Sequence, residues 1–233
     1  MKCPNIVVVP YITYKSVAPE NFYGMIFSPD FFPCIDYIRH LPAGDTVQIN
    51  TAEQYRKQSY HSRAWVLGPH QVEILQVPVK KFSNHELIRN IEIDYSTAWN
   101  RKAWRTLENI YRNSPFFEYF EDHIYKVFAK KYERLVDLNI ATLTICLKLM
   151  RVNKTICLRD FSYYEYKNQF ISFNAKNREE NAANLPFRAY TQNFGNKFEP
   201  NLSILDLIFM KGTGSWEIVE PQGSTFEKKI VIE

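Results

Sequence analysis

Tyr55-Arg56-Lys57-Gln58-Ser59-Tyr60-His61-Ser62-Arg63-Ala64-Trp65-Val66-Leu67, then Gly68-Pro69 and the run from Val72 to Lys81, reads as a β-hairpin. From Tyr60 to Leu67 the side chains alternate, which puts His61, Arg63 and Trp65 on one face and Tyr60, Ser62, Ala64 and Val66 on the other. Gly68-Pro69 supplies the turn chemistry, and the returning Val72, Ile74, Val77 and Val79 are apolar enough to lie within a sheet. A rigid strand carrying a histidine beside an arginine is a reasonable place for an anionic ligand.

Outward from the hairpin, short apolar runs at Ile6–Val9, Met25–Ser28, Thr46–Asn50 and Thr155–Leu158 read as further strands, and Leu87–Asp94 alternates like another. Tyr11–Asn21 reads as a surface excursion. After Ser28, the positions Phe31, Cys34, Ile35, Ile38 and Leu41 recur at helical spacing behind Pro29-Asp30-Phe31-Phe32-Pro33. That is a strand, a tight loop and a helix, with the loop at the strand's carboxyl end, where ligands of α/β sheets bind. Ser96-Thr97 offers an N-cap to a helix whose stripe is Ala103, Trp104, Leu107, Ile110 and Tyr111.

Ser114-Pro115 breaks that helix and opens an aromatic one. Val136, Ile140, Leu143, Leu147 and Met150 mark a long amphipathic helix, with Cys146 at the edge of its stripe as a small buried hydrophobe. Ser162–Pro186 is a long polar connection. Ser203 starts a last helix that Gly212 stops, with Asp206 in place to complete a capping box or to serve as a catalytic carboxylate. Lys229–Ile232 is expected to add an edge strand. The fold expected is α/β: a mixed sheet from the N-terminal half, with a helix-rich middle packed against it. One domain over 1–233 is expected, its motif-bearing part at about 23–212 and a tail over 213–233.

The chain has 233 residues, a formal net charge of +4, 15% aromatic residues and seven glycines. That charge is short of what a dedicated nucleic-acid binder carries, so no nucleic-acid partner is expected. With so few glycines there is no phosphate cradle of the dinucleotide or P-loop kind. Cys3, Cys34, Cys146 and Cys157 have no zinc-ligand spacing, and His85-Glu86 is a weak metal cue, so no metal is assigned. No run is long enough for a signal peptide or membrane span, which makes a cytoplasmic protein the expectation. Arg101, Lys102 and Arg105 stand in the first turns of a helix, where each cation opposes the macrodipole by about 0.3–1 kcal/mol when exposed. Two readings follow for them, a solvated face or a site for an oxyanion.

Several of these stretches, in order, resemble the WbqC-like family of bacterial proteins. The similarity runs through Pro29 to Ile38, Tyr55 to Arg63, Val77-Pro78-Val79-Lys80-Lys81, Tyr111 to Phe120, Lys130-Lys131-Tyr132-Glu133 with Asp137-Leu138-Asn139, and Pro200 to Phe209. The resemblance implies a role in O-antigen or other surface-polysaccharide biosynthesis, on a nucleotide-linked or lipid-linked sugar. It names no cofactor. On that expectation Lys57, Arg63, Arg101 and Arg105 would hold a pyrophosphate as charge-assisted donors. His61 and Asp206 are the catalytic candidates, imidazole being the side chain whose ordinary titration spans neutrality. The family usually shows an Arg-Asn-Arg-like run at His61-Ser62-Arg63, a His-Trp pair at Ala103-Trp104 and a Gly-Ala-Asn-Gly-like turn at Gly68-Pro69-His70-Gln71. Trp104, the shared half of that pair, joins the ligand-binding candidates. The departures open a second expectation, a binding or assembly factor without turnover.

Overall fold

The computed structural model describes residues 12–15, 24–162, 166–171, 173, 175 and 188–219. Thr46-Val47-Gln48-Ile49-Asn50 forms strand β3, in which Val47 and Ile49 are fully buried on one face. β6, Thr155–Arg159, lies parallel to it and pairs Val47 with Ile156 and Ile49 with Leu158, so one apolar face runs across both strands. β1, Ile12–Lys15, pairs with β6 at one edge. β2, Ile26–Phe27, pairs with β3, and β7, Phe170–Ile171, closes the other edge. The order is β1-β6-β3-β2-β7, with every pairing parallel. The carboxyl ends of all five strands therefore lie on one side.

The quoted hairpin forms as an antiparallel ribbon of β4, Arg63–Leu67, and β5, Val72–Gln76, separate from the parallel sheet. Gly68 N–H donates to the Gln71 carbonyl at 3.0 Å, and a Cβ on Gly68 would come within 2.6 Å of Glu73 Oε1. The turn is too tight for a side chain. Both pairing modes of the expected α/β fold are present, sorted into two sheets, and β6 and β7 join from beyond the N-terminal half.

Helix α1, Ile35–Arg39, follows β2. Helices α2, Trp99–Tyr111, α3, Phe117–Ala129, and α4, Leu135–Leu149, form the helical middle. α4 buries residues on nearly every face, from Leu135 through Leu149, which marks it as the central helix of the packing. α5, Ile204–Lys211, packs against α3, α4 and β4. It ends where Gly212 takes φ 60°, and a Cβ there would sit 2.5 Å from the Phe116 ring. A short α6, Ser215–Val219, lies against α1. Among the described residues no helix is long and apolar enough to cross a membrane.

Several local expectations are corrected. Ile12–Lys15, read as part of a surface excursion, is the edge strand β1, whereas Ile6–Val9 lies outside the described residues, as does Lys229–Ile232. Leu87–Asp94 is a 3-10 turn at Ile88–Asn90 with isolated bridges, because its buried residues Ile88, Ile91 and Ile93 are spaced three and then two apart. Ser96-Thr97 does not cap α2. Ser96 N–H donates to Asp94 Oδ1 at 2.8 Å in an Asx turn, and the helix starts two residues later from Ala98. The polar connection after Ser162 contributes β7 at Phe170–Ile171.

Candidate functional site

β2, β3 and β6 deliver Ser28, Asn50 and Asp160 from their carboxyl ends to one cavity of about 760 Å³, whose lining also includes Glu53, Arg56, Phe161 and Phe170. This is where an α/β sheet places its ligands. The loops after β3 and β6 are tied together across the register that pairs Asn50 with Arg159. Asn50 Oδ1 accepts the backbone N–H of Ala52 and of Phe161, each at 3.0 Å. Thr51 Oγ1 donates to Asp160 Oδ1 at 2.7 Å, and Arg89 pairs with the other oxygen of Asp160.

Glu53 is the carboxylate with the most connections on this wall. Its Oε2 accepts from Ser28 Oγ at 3.0 Å and lies 3.8 Å from Arg56 Nη2. Its Oε1 is 3.2 Å from His61 Nε2, a close polar contact that is not aligned as a hydrogen bond. His61 is 1% exposed, and its Nδ1 accepts the Arg56 backbone N–H at 3.3 Å. A neutral imidazole bonded in this way carries its proton on Nε2, facing Glu53.

Behind this pair lies Asp30, also buried. Burial pushes its carboxyl up to about 7; His61 pulls it back, Glu53 adds to the rise, and Arg56 opposes it. Two carboxyls and an imidazole thus share one electrostatic neighbourhood at the edge of a cavity, an arrangement that can hold or pass a proton near neutral pH.

The raised carboxyl has a consequence for stability. A carboxyl held at about 7 in the fold and near 3.8 in the open chain contributes stability that is fully present below the lower value and lost as pH rises through the higher one. Asp30→Asn is therefore expected to gain on wild type by on the order of 2–3 kcal/mol of stability between pH 5 and pH 8–9, the first part of the linkage being lost already between pH 4 and pH 5. Melts of the two proteins across pH 5–9 check this. Equal differences at both ends would show that Asp30 titrates normally.

The structure moves His61 off the ribbon's polar face. Tyr60 to Ser62 form a turn, with the N–H groups of Ser62 and Arg63 donating to the Ser59 carbonyl at 3.3 and 3.1 Å, so the alternation starts only at Arg63. Arg63 Nε donates to Gln76 Oε1 at 3.2 Å across the ribbon. Lys57 Nζ sits 5.0 Å over the Phe82 ring. Arg101 and Arg105 are exposed on the first turns of α2, and Trp104 packs among Phe117, Tyr125 and Phe128. Asp206 is buried between Tyr111 and Tyr190. None of these lines the cavity, and His61 meets it only through Glu53. Ser28, Asn50, Glu53 and Asp160 escaped the sequence reading, although each stands within three residues of a strand's end. The carboxyl-end rule applied to the loop after β2 would have found them after β3 and β6 too.

Among the described residues no group of three His, Cys, Asp or Glu side chains is placed to hold a metal ion. No curated protein and no solved structure matches the chain. The model of one family, described as the WbqC-like protein family, matches residues 28–176, a span that contains β3, the ribbon, the helical middle, β6, β7 and every residue named in the cavity wall. The chain belongs to the WbqC-like protein family.

Proposed function

We propose that this cavity binds an activated sugar, nucleotide-linked or lipid-linked, and promotes transfer of a group to or from it in bacterial surface-polysaccharide biosynthesis. The observation that carries the reading is Glu53 on the cavity wall with buried His61 and Asp30 behind it. In the transfer step a sugar hydroxyl attacks the electrophilic centre of the donor, its proton passes to a Glu53 oxygen, and the leaving group departs with the bonding electron pair. His61 is a positioning residue that orients Glu53, and Asp30 tunes the charge around both. Arg56 supplies a cation to the leaving group or its phosphate. A cavity of about 760 Å³ is within the range that encloses a ligand of this size.

A thermal-shift screen against nucleotide sugars, sugar 1-phosphates, free sugars and bare nucleotides tests binding, because a ligand held by the folded state raises the melting temperature with its occupancy. Product analysis with the stabilising class tests turnover. Glu53→Gln keeps the side chain's shape and its acceptor for Ser28, so it is expected to retain binding while turnover falls about 10²-fold or more. A second reading, binding without turnover, is favoured by the wall itself. Arg89 already engages Asp160, and Arg56 is the one cation in the described lining, which is sparse for a pyrophosphate. Stabilisation by a sugar ligand with no product formed would select that reading.

A further inference from the structure

Asn50 ends β3 and is 1% exposed. Both groups that meet its Oδ1 are backbone N–H donors, which cannot exchange roles, so the atom they meet must be the amide oxygen. The side chain is therefore fixed in one orientation, and its NH₂ group has no partner among the described residues. Because Asn50 lines the cavity, that group is the hydrogen-bonding capacity it has left to offer. A donor that opens on the cavity is free to give its hydrogen bond to whatever occupies it. The same amide that locks the loops after β3 and β6 together thus presents a rigid donor, its position set by two strands.

We propose that Asn50 is a specificity-determining residue of the cavity, its Nδ2 donating to a hydroxyl oxygen of the sugar ring. The inference rests on the sugar-binding reading of the site. The choice of a hydroxyl over a phosphate follows from the surroundings. Glu53 and Asp160 share the wall, and two carboxylates repel a phosphate while accepting from sugar hydroxyls. A hydroxyl can both donate and accept, so a ring with adjacent hydroxyls satisfies the carboxylates and Asn50 together.

Three proteins test this: wild type, Asn50→Asp and Asn50→Ala, each titrated with nucleotide sugars, sugar 1-phosphates and bare nucleotides. Asn50→Asp keeps an oxygen for both backbone N–H groups, replaces the NH₂ with an acceptor and adds a carboxylate charge to the wall. It is expected to keep the loops after β3 and β6 joined while affinity for the sugar-bearing probes falls about tenfold or more. Affinity for bare nucleotides is expected to fall less, by the added charge alone. Asn50→Ala loses the lock and is expected to melt lower. Wild-type affinity for sugar probes in Asn50→Asp overturns the assignment, and so does an equal loss for bare nucleotides, which charge repulsion alone explains. If no probe binds wild type, the sugar reading fails, and the orientation of Asn50 is judged by NMR. Side-chain NH₂ protons exchanging freely with water support a donor facing the cavity, and protected ones overturn it.

Discussion

Asn139→Ala is expected to destabilise the protein by about 3 kcal/mol and to abolish ligand binding in the cavity, although Asn139 does not line it. The residue lies on α4, 1% exposed, and its Nδ2 donates to the carbonyls of Pro29 at 2.7 Å and His61 at 2.8 Å. One amide group thus joins the loop that carries Asp30 to the turn that carries His61. Next to it, Thr142 Oγ1 accepts the Phe32 N–H at 3.1 Å and donates to the Asn139 carbonyl at 2.8 Å, which anchors the same loop to the same helix. Truncation leaves two buried carbonyls without this donor, each at a cost of about 1–3 kcal/mol. It also frees the two segments whose separation sets the electrostatics of Asp30, Glu53 and His61. Asn139→Asp is expected to be worse at neutral pH, since a carboxylate would face two carbonyls with no proton to give. Denaturant unfolding of both variants, with the slope unchanged and the midpoint lowered, checks the stability; a loss under 1 kcal/mol for alanine would show that water replaces the amide.

Where the chain's own periodicity decides the structure, the sequence was readable. Val47 and Ile49 alternate with polar neighbours and form β3; Ala64 and Val66 alternate with Arg63 and Trp65 and form β4; the stripe from Val136 to Leu147 is α4. Ser203 caps α5 as its position suggests, its Oγ accepting from Leu205 N–H at 3.3 Å. The cavity was not readable in the same way, because it is made by register. Thr51 meets Asp160, and Asn50 meets Phe161, only because β3 and β6 pair in parallel across more than a hundred residues. Spacing within one segment holds no record of that. His61 was misplaced for a local reason. Gln58 adopts φ 57° and Ser59 closes a turn, so the residues before Arg63 do not continue the pleat. Burial then makes the histidine a partner of Glu53, where exposure would have made it a contact for ligand.

Asp206→Ala is expected to cost about 3–5 kcal/mol, the largest single loss of stability predicted for a residue outside the cavity. The capping-box position at Asp206 is real in sequence but goes unused, because Ser203 N–H donates instead to the Trp65 carbonyl at 2.7 Å. The carboxyl turns inward, where it accepts from Tyr111 OH at 2.7 Å and Tyr190 OH at 2.6 Å, with Gln192 Nε2 at 3.4 Å. Burial raises its pKa, and the three donors pull it back without cancelling the rise. A raised carboxyl adds stability at acid pH that is lost as pH climbs through its folded value, so acid does not undo this cluster by protonating Asp206. Alanine strands two buried phenol hydroxyls. It also unhitches Gln192, which bridges to the N–H and carbonyl of Glu199, so the segment from Tyr190 to Glu199 loses its attachment to α5. Asn at the same position keeps the volume and one acceptor, and a smaller loss of about 1–2 kcal/mol is expected. The pair of variants separates the two roles the sequence offered for Asp206. A structural carboxyl makes ligand binding and stability fall together, most in Asp206→Ala, whereas a catalytic one would leave Asp206→Asn stable, binding and without turnover.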